Sequence, residues 1–209
     1  MLKRMFDVVC AFFGLVVLSP LLGVLALVVK LGDRGPVFYR GVRTGLNGKQ
    51  FRVLKFRTMV VDAEKTGVSA TADDDPRITP IGRFLRKYKL DELPELMNVL
   101  VGDMSLVGPR PEVPQYTAMF TGEERSILTV RPGITDWATL WDVDEGAVLA
   151  GSEDPERAYL EKIRPEKIRL QLIYVRERTF GTDVKILFLT LWAIVARRRP
   201  AAGEHQRRS

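Results

Sequence analysis

The longest apolar run lies near the start of the chain, where residues 8–29 contain no charged side chain. An α-helix rises about 1.5 Å per residue, so this run reaches roughly 33 Å, enough to cross a hydrocarbon core of ~30 Å. Lys3 and Arg4 precede the run, and Lys30 and Arg34 follow it. Its length and the lack of a small-x-small cleavage site argue against a signal peptide. The pattern therefore predicts a membrane helix.

The Ser19-Pro20 pair in the middle of this run leaves its course open. Pro20 removes a backbone hydrogen bond and clashes with the carbonyl of Val16, which predicts a kink. Ser19 can hydrogen-bond the freed carbonyl, so the kink is tolerable in lipid. Positive charge on both flanks gives no orientation for a crossing. Three alternatives remain: a re-entrant helix that turns back at Ser19-Pro20, a single spanning helix, and a buried core helix of a soluble protein.

The hydrophobic pattern after the membrane segment indicates a hairpin followed by helices. Residues 37–40 and 50–56 alternate in polarity around an Asn-Gly pair at 47–48, which is typical of a β-hairpin. Residues 64–76 are polar and predict a loop, whose aspartates lack the spacing of a calcium site. Residues 154–178 predict one or two helices, and residues 131–135 predict a turn.

Two amphipathic helices are predicted between the loop and that turn. Thr79 and Pro80 suit the N-cap and first residue of one helix, whose basic side could lie against phosphate or phospholipid. Asp91 suits the N-cap of the next, with Pro94 in its first turn. The second helix has one apolar face, with residues spaced i, i+3, i+4 and i+7: Leu93, Leu96, Met97 and Leu100.

The last apolar run, residues 186–196, precedes three arginines at 197–199. It is too short to span a bilayer. An interfacial helix with a basic end and burial in the core explain it equally well.

Composition narrows the chemistry by exclusion. The chain has 209 residues and a net charge of +6, a basic excess that suits lipid, nucleotide or nucleic-acid phosphates without choosing among them. Cys10 is the only cysteine, so no intrachain disulfide can form. The only histidine, His205, lies in the polar tail, which excludes a histidine-rich metal site and a Ser-His-Asp triad.

The adjacent carboxylates Asp91 and Glu92 are candidates for catalysis. Simple capping of a helix N-terminus is one explanation, because acidic residues are common there. Alternatively, Asp91 is a nucleophile that attacks a phosphoryl group, and the amides that it caps stabilise the resulting charge. Glu92 could hold Mg²⁺, which takes one or two carboxylates plus phosphate oxygens. Arg86 and Arg110 could neutralise a diphosphate.

Several motifs occur in order along the chain: KFRTM at 55–59, DPRIT at 75–79, LDELPEL at 90–96, NVL at 98–100, GDMSLVGPRP at 102–111 and RPGIT at 131–135. Together with the Ser19-Pro20 segment they resemble the bacterial sugar transferases, the monotopic phosphoglycosyl transferases. The resemblance covers residues 3–196, nearly the whole chain.

The resemblance implies an α+β, mostly helical fold. It places a re-entrant membrane helix-break-helix at 1–34, and a cytosolic, membrane-associated catalytic domain at 35–199 that contains a small β-hairpin and amphipathic interfacial helices. A polar tail follows at 200–209. Since the chain has no large N-terminal domain, it is expected to be a minimal catalytic form. The implied location is the cytoplasmic face of the bacterial inner membrane.

The implied reaction transfers a phosphosugar from a nucleoside-diphosphate sugar, usually a UDP-sugar, to polyprenyl (undecaprenyl) phosphate. That transfer is the first membrane step of capsule, exopolysaccharide or O-antigen assembly. The resemblance makes Asp91 the residue that forms a covalent phosphosugar intermediate and Glu92 the ligand of the required Mg²⁺. The implied candidates for phosphate binding are Lys55, Arg57, Arg86, Arg110 and Arg131.

The chain departs from its relatives after the carboxylate pair. Asp136 follows the RPGIT turn where many relatives have glycine, and Gln171 occupies a position that is often acidic. The stretch 142–167 is also longer than in the shorter relatives. These differences leave sugar and nucleotide selectivity open.

The partners expected from sequence are the two substrates and anionic membrane lipid, with a homo-oligomer allowed but not required. A non-enzymatic membrane-associated adaptor is the alternative function, although an adaptor has no need of the Asp91-Glu92 pair beside Arg110. Nucleic acid is not expected, because the chain has a long apolar segment and lacks the motifs of the usual binding modules.

Overall fold

The computed structural model describes residues 1–63, 70–141 and 145–196. Several predictions concern residues outside this set: part of the 64–76 loop, the first residues of the 142–167 stretch, the arginines at 197–199 and the polar tail at 200–209 with His205. The described chain is mostly helical with small β pairings, which confirms the predicted α+β class.

Helix α1, Leu2–Asp33, is long and apolar enough to cross a membrane by length and composition. Only 11% of its apolar window is buried, which contradicts the core-helix alternative. The helix is continuous through Ser19 and Pro20, so the predicted break is not an interruption of helical backbone. Ser19 Oγ donates to the carbonyl of Val16 at 2.8 Å, the group that Pro20 leaves without an amide partner. The re-entrant course itself stays a prediction.

Both ends of α1 are bound to the rest of the protein. Near the start, the Asp7 carboxylate accepts from the Ser105 hydroxyl at 2.8 Å and from the Leu106 amide at 3.2 Å. At the end, Asp33 forms an ion pair with Arg57. The buried residues of the helix lie towards these ends, and none is buried between positions 11 and 25.

The predicted hairpin is confirmed as two nested antiparallel pairs. Strand β1, Phe38–Tyr39, pairs with β4, Lys55–Phe56, and β2, Val42–Thr44, pairs with β3, Gln50–Arg52. At the tip, Asn47 and Gly48 have φ values of 55° and 77°. Asn-Gly tolerates this left-handed conformation, which is why the pair makes a good turn.

Helix α2, Pro80–Lys87, begins as predicted, with Thr79 Oγ accepting from the Gly82 amide at 3.0 Å. The prediction that Asp91 caps the next helix is wrong. Residues Leu90–Glu92 form a 3₁₀ turn, and α3, Glu95–Val101, begins after Pro94. The Leu93 amide donates to the Leu90 carbonyl, so this tighter turn replaces the helical turn that Asp91 would have capped.

The apolar face predicted for α3 is only partly correct. The helix buries Glu95, Asn98 and Val99, whereas Met97 is 45% exposed. Asn98 faces inwards because its amide joins the hairpin backbone: it accepts from the Leu54 amide at 2.8 Å and donates to the Arg52 carbonyl at 2.9 Å.

The predicted turn at 131–135 is largely a strand. Strand β6, Gly133–Thr135, pairs in parallel with β5, Ser105–Val107, after a crossover through α4, Pro114–Ala118, and a 3₁₀ helix, Gly122–Thr129. A Cβ atom on Gly133 would lie 2.1 Å from the Gly108 amide nitrogen. Only glycine permits this approach, which places the Pro109-Arg110-Pro111 segment beside the end of β6.

The remaining helices are α5, Trp137–Trp141; α6, Glu145–Leu149; α7, Pro155–Ala158; α8, Arg164–Glu177; and α9, Phe180–Ala196. A π-helical turn, Tyr159–Ile163, joins α7 to α8. In α9, Ile186 is fully buried, whereas Phe188, Leu191 and Trp192 are exposed. The two alternatives for this segment, burial in the core and an interfacial helix, therefore each describe one face of α9. One face is buried in the core, and the opposite face exposes apolar side chains.

Candidate active site

Three carboxylates meet where the hairpin, the 3₁₀ turn and the Pro109-Arg110-Pro111 segment come together. Asp91 and Glu92 lie on the turn, and Glu95 is the first residue of α3. Lys55 reaches them from β4, and Arg110 reaches them from the segment after β5. The site thus assembles side chains from regions that are distant in the sequence.

Glu92 is held by two cations. Lys55 Nζ donates to Glu92 Oε1 at 2.8 Å, and Arg110 donates through both terminal nitrogens, Nη1 to Oε2 at 3.2 Å and Nη2 to Oε1. Burial opposes ionisation of Glu92, but the charges of Arg110 and Lys55 outweigh it and hold the pKa of this carboxyl well below its ordinary value. Glu92 is therefore an anion at neutral pH.

Asp91 has a different environment. It is buried, and its Oδ1 atom has no hydrogen-bond partner among the described residues. Burial and the negative charge of Glu92 raise the pKa of Asp91, while Lys55 and Arg86 partly oppose that shift. A carboxylate that is weakly stabilised as an anion is a better nucleophile, and unsatisfied buried groups of this kind concentrate at functional sites.

Glu95 is a third carboxylate to which sequence reasoning assigned no role. It is 2% exposed, its Oε1 lies 3.2 Å from Lys55 Nζ, and its Oε2 has no hydrogen-bond partner in the part of the chain that the structure describes. Burial raises its pKa, with Lys55 opposing and Glu92 adding to the rise. Its position in the LDELPEL motif, one helical turn after Asp91 and Glu92, was the signal that could have indicated it.

The structure brings together only some of the predicted phosphate-binding residues. Lys55 and Arg110 contact Glu92, and the charge of Arg86 acts on Asp91. Arg57 instead pairs with Asp33 at the end of α1. Arg131 donates to the Gly102 carbonyl at 3.1 Å, just after α3 ends, whereas the carboxylates lie where α3 begins.

The two departures noted in the sequence, Asp136 and Gln171, both contact the backbone of Arg110. The Arg110 amide donates to Asp136 Oδ2 at 3.3 Å, and Gln171 Nε2 donates to the Arg110 carbonyl at 3.4 Å. Both side chains are fully buried. They are linked to the site through Arg110 and were missed as site residues, because nothing in their local sequence indicates that contact.

The carboxylates also offer oxygen ligands to Mg²⁺. Among the described residues, no group of three or more His, Cys, Asp or Glu side chains forms a ready-made metal cage. Mg²⁺ does not require one, since it usually takes one or two carboxylates and completes its shell with water and substrate phosphate. Glu92 is ionised, and its neighbour Asp91 has an unpartnered oxygen. These donors fit the ion.

Comparison with known proteins identifies relatives along nearly the whole chain. A model of the bacterial sugar transferase family matches residues 1–197. The chain is 39% identical over 197 residues to a UDP-glucose:undecaprenyl-phosphate glucose-1-phosphate transferase of Escherichia coli (strain K12), which covers 92% of this chain and 40% of that protein. It is 39% identical over 190 residues to an uncharacterized sugar transferase, EpsL, of Bacillus subtilis (strain 168). That alignment covers 91% of this chain and 85% of the Bacillus protein.

A further relative is the UDP-N-acetylgalactosamine-undecaprenyl-phosphate N-acetylgalactosaminephosphotransferase of Aeromonas hydrophila, 36% identical over 197 residues, with 93% of this chain and 44% of that protein covered. The chain therefore spans less than half the length of the Escherichia coli and Aeromonas proteins and most of the Bacillus protein.

Proposed function

The chain belongs to the bacterial sugar transferase family, and from this premise we propose that it transfers a phosphosugar from a nucleoside-diphosphate sugar, specifically a UDP-sugar, to polyprenyl (undecaprenyl) phosphate.

 The names of the Escherichia coli and Aeromonas relatives describe UDP-sugar donors and undecaprenyl phosphate as acceptor, which supports both substrate classes. The observation that carries the proposal is the contrast within the carboxylate pair: Glu92 is bound by two cations, whereas the buried Asp91 has an unpartnered oxygen.

In the proposed reaction, Asp91 is the nucleophile. One of its carboxylate oxygens attacks the phosphorus that carries the sugar, and the bond from that phosphorus to the oxygen of the nucleoside monophosphate breaks. UMP leaves, and the phosphosugar stays on Asp91 as an acyl phosphate. An oxygen of polyprenyl phosphate then attacks the same phosphorus, which forms the lipid diphosphate-linked sugar and returns Asp91 as a carboxylate.

The cations around the carboxylates would bind the donor diphosphate and neutralise its negative charge. Arg110 presents a planar guanidinium that can bind phosphate through two nitrogens, and Lys55 adds a compact charge. Arg86 is close enough for its charge to act on Asp91, so it can add to this neutralisation. Glu92, with Asp91 beside it, would hold Mg²⁺, which supplies charge neutralisation of the phosphate oxygens when bound.

An adaptor without catalytic activity explains these features less well. Burying several ionisable groups with unpartnered oxygens costs stability. A surface that only recruits partners gains nothing from that cost, whereas a phosphoryl-transfer site needs a poorly stabilised nucleophile close to cations.

The test offers purified protein a panel of UDP-sugars with undecaprenyl phosphate and Mg²⁺ and follows UMP release. We expect one or a few donors to release UMP and to yield the lipid diphosphate-linked sugar. A panel without UMP release, using protein whose folding is verified by a cooperative thermal transition, would contradict the proposal.

The proposed location is the cytoplasmic face of the membrane, with a re-entrant α1. Asp7 and Asp33, near opposite ends of the helix, both bind the same globular part of the chain. Since a polar domain cannot cross the bilayer, these contacts support both ends being on one side. Exposed Phe84 on α2 and exposed Tyr88 directly after it, beside Arg83 and Lys87, suit an anionic lipid surface.

A labelling experiment tests this topology. With Cys10 replaced by alanine and a cysteine introduced by Leu2→Cys, the native N-terminus should resist an impermeant maleimide in intact cells. Replacing Ser19 and Pro20 together by leucine restores the backbone bond at position 20 and favours a straight, spanning helix, so labelling should appear at least in part.

The matched control for the double replacement of Ser19 and Pro20 by leucine is Gly23→Leu. A Cβ atom at Gly23 would meet no atom within 4 Å, so this change adds apolar surface but keeps Pro20. It should leave the N-terminus protected. Labelling of the native segment from outside would mean that α1 spans the membrane.

A further inference from the structure

The segment that carries Arg110 is unusual because it offers very few backbone donors. Pro109 and Pro111 have no N–H, so the Arg110 amide is the only backbone donor between Gly108 and Glu112. The neighbouring backbone groups already form hydrogen bonds with β6. The Gly108 amide donates to the Thr135 carbonyl at 3.0 Å, and the Pro109 carbonyl accepts from the Gly133 amide at 3.0 Å.

The backbone of Arg110 itself is bound by two side chains from elsewhere in the chain. Asp136 Oδ2 accepts from its amide at 3.3 Å, and Gln171 Nε2 donates to its carbonyl at 3.4 Å. Asp136 comes directly after β6, and Gln171 lies on α8. Both residues are 0% exposed, so water does not compete for these bonds.

Asp136 is anchored by its other oxygen. Its Oδ1 accepts from the Thr139 amide at 2.7 Å and from the Thr139 hydroxyl at 2.9 Å, which caps the start of α5. One carboxylate therefore joins the first turn of α5 to the Arg110 amide. A capping oxygen alone can be supplied by serine, but the second bond requires a second acceptor oxygen.

We propose that Asp136 and Gln171 are positioning residues, which clamp the Arg110 backbone so that its guanidinium meets Glu92 and the donor diphosphate. A long side chain amplifies any shift of its own backbone, and Arg110 reaches Glu92 through two parallel hydrogen bonds that tolerate little displacement. The catalytic part of this inference rests on the proposed function; the structural part does not.

The first measurement is amide hydrogen exchange on the full chain in detergent micelles, which needs no substrate. Because Pro109 and Pro111 have no amide hydrogens, exchange across positions 109–111 reports Arg110 alone. Asp136→Ser keeps a capping oxygen for α5 but removes the acceptor for Arg110. We expect the Arg110 amide to exchange about tenfold faster or more in this variant.

The second measurement is turnover with the donor identified by the panel. Asp136→Ser should lower kcat about tenfold, and Gln171→Met should lower it less, because a hydrogen bond to a carboxylate is stronger than one between neutral amide groups. In an Arg110→Lys background, the further effect of Asp136→Ser should shrink to about twofold or less, since residues that act through one another are not additive.

The control is Asp154→Ser, at an exposed aspartate that caps α7 by accepting from the Arg157 amide at 3.0 Å. It makes the same chemical change at a helix start away from Arg110 and should alter neither Arg110 exchange nor kcat.

Unchanged Arg110 exchange in Asp136→Ser would overturn the clamp. Two further results would overturn the role of Asp136 in positioning Arg110. One is faster exchange in Asp136→Ser with unchanged kcat, and the other is a kcat loss that is equally large in the Arg110→Lys background. Wild-type protein without turnover would contradict the proposed function, while the exchange result still decides the clamp.

Discussion

Replacing Asp91 by asparagine is expected to lower turnover at least about 1,000-fold while leaving the protein as stable as before or more stable. An amide oxygen cannot form the acyl phosphate, so the first step is lost. Folding does not depend on the charge, because burial and Glu92 disfavour the charged form of Asp91, whose Oδ1 has no hydrogen-bond partner among the described residues. Since Asp91 does not cap α3, no helix end is weakened.

Two measurements check the Asp91 prediction. Without lipid acceptor, wild-type protein should release UMP and gain the mass of a phosphosugar on the peptide that contains Asp91, and the variant should do neither. Thermal midpoints compare stability. Asp154→Asn, the same change at an exposed helix cap, should retain activity. Full turnover by the Asp91 variant would exclude covalent catalysis at this residue.

Replacing Glu92 by glutamine is expected to remove activity by a different route and to destabilise the protein. Lys55 and Arg110 lose their shared anion, and removing one partner of these partly buried ion pairs is expected to cost about 2–3 kcal/mol. Glu95 lies 3.2 Å from Lys55 and can compensate only that cation. Turnover should fall at least about 100-fold, because the proposed Mg²⁺ ligand is also lost.

The metal role is measured by chelation. EDTA should stop turnover of the wild-type protein and added Mg²⁺ should restore it, whereas Glu92→Gln should require more Mg²⁺ or remain inactive. Glu161→Gln breaks an exposed ion pair with Arg157 and serves as control, with little expected effect on stability or activity. Undiminished turnover in EDTA would remove the metal role from Glu92.

The two variants together separate catalysis from folding. Both neutralise a carboxylate of the same turn, yet the expected changes in stability have opposite directions. The reason lies in their partners: the ion pairs of Glu92 stabilise its charge, while burial and the charge of Glu92 raise the pKa of Asp91, whose Oδ1 has no hydrogen-bond partner among the described residues. A loss of activity with opposite stability changes is not explained by general misfolding.

Several features of the fold could be predicted because they depend on neighbours in the chain. The Asn47-Gly48 turn, the Thr79 cap and the Ser19 bond to the Val16 carbonyl each involve groups within a few residues. Other predictions failed where distant contacts prevailed. Asn98 turned inwards to bind the hairpin backbone, and residues 133–135 joined β5 as a parallel strand.

The sequence by itself determined the apolar helix, the hairpin and the motif that contains Asp91 and Glu92, since these follow from local periodicity, backbone preferences and residue chemistry. Only the tertiary structure decided which charges meet. Glu92 is 37 positions from Lys55 and 18 from Arg110, and the Arg110 amide reaches Asp136 across 26 positions. The local pattern around a charged residue does not specify a partner so far away, because packing of the intervening elements sets that distance. For this reason Arg110 and Arg131, alike as sequence candidates, came to lie at opposite ends of α3.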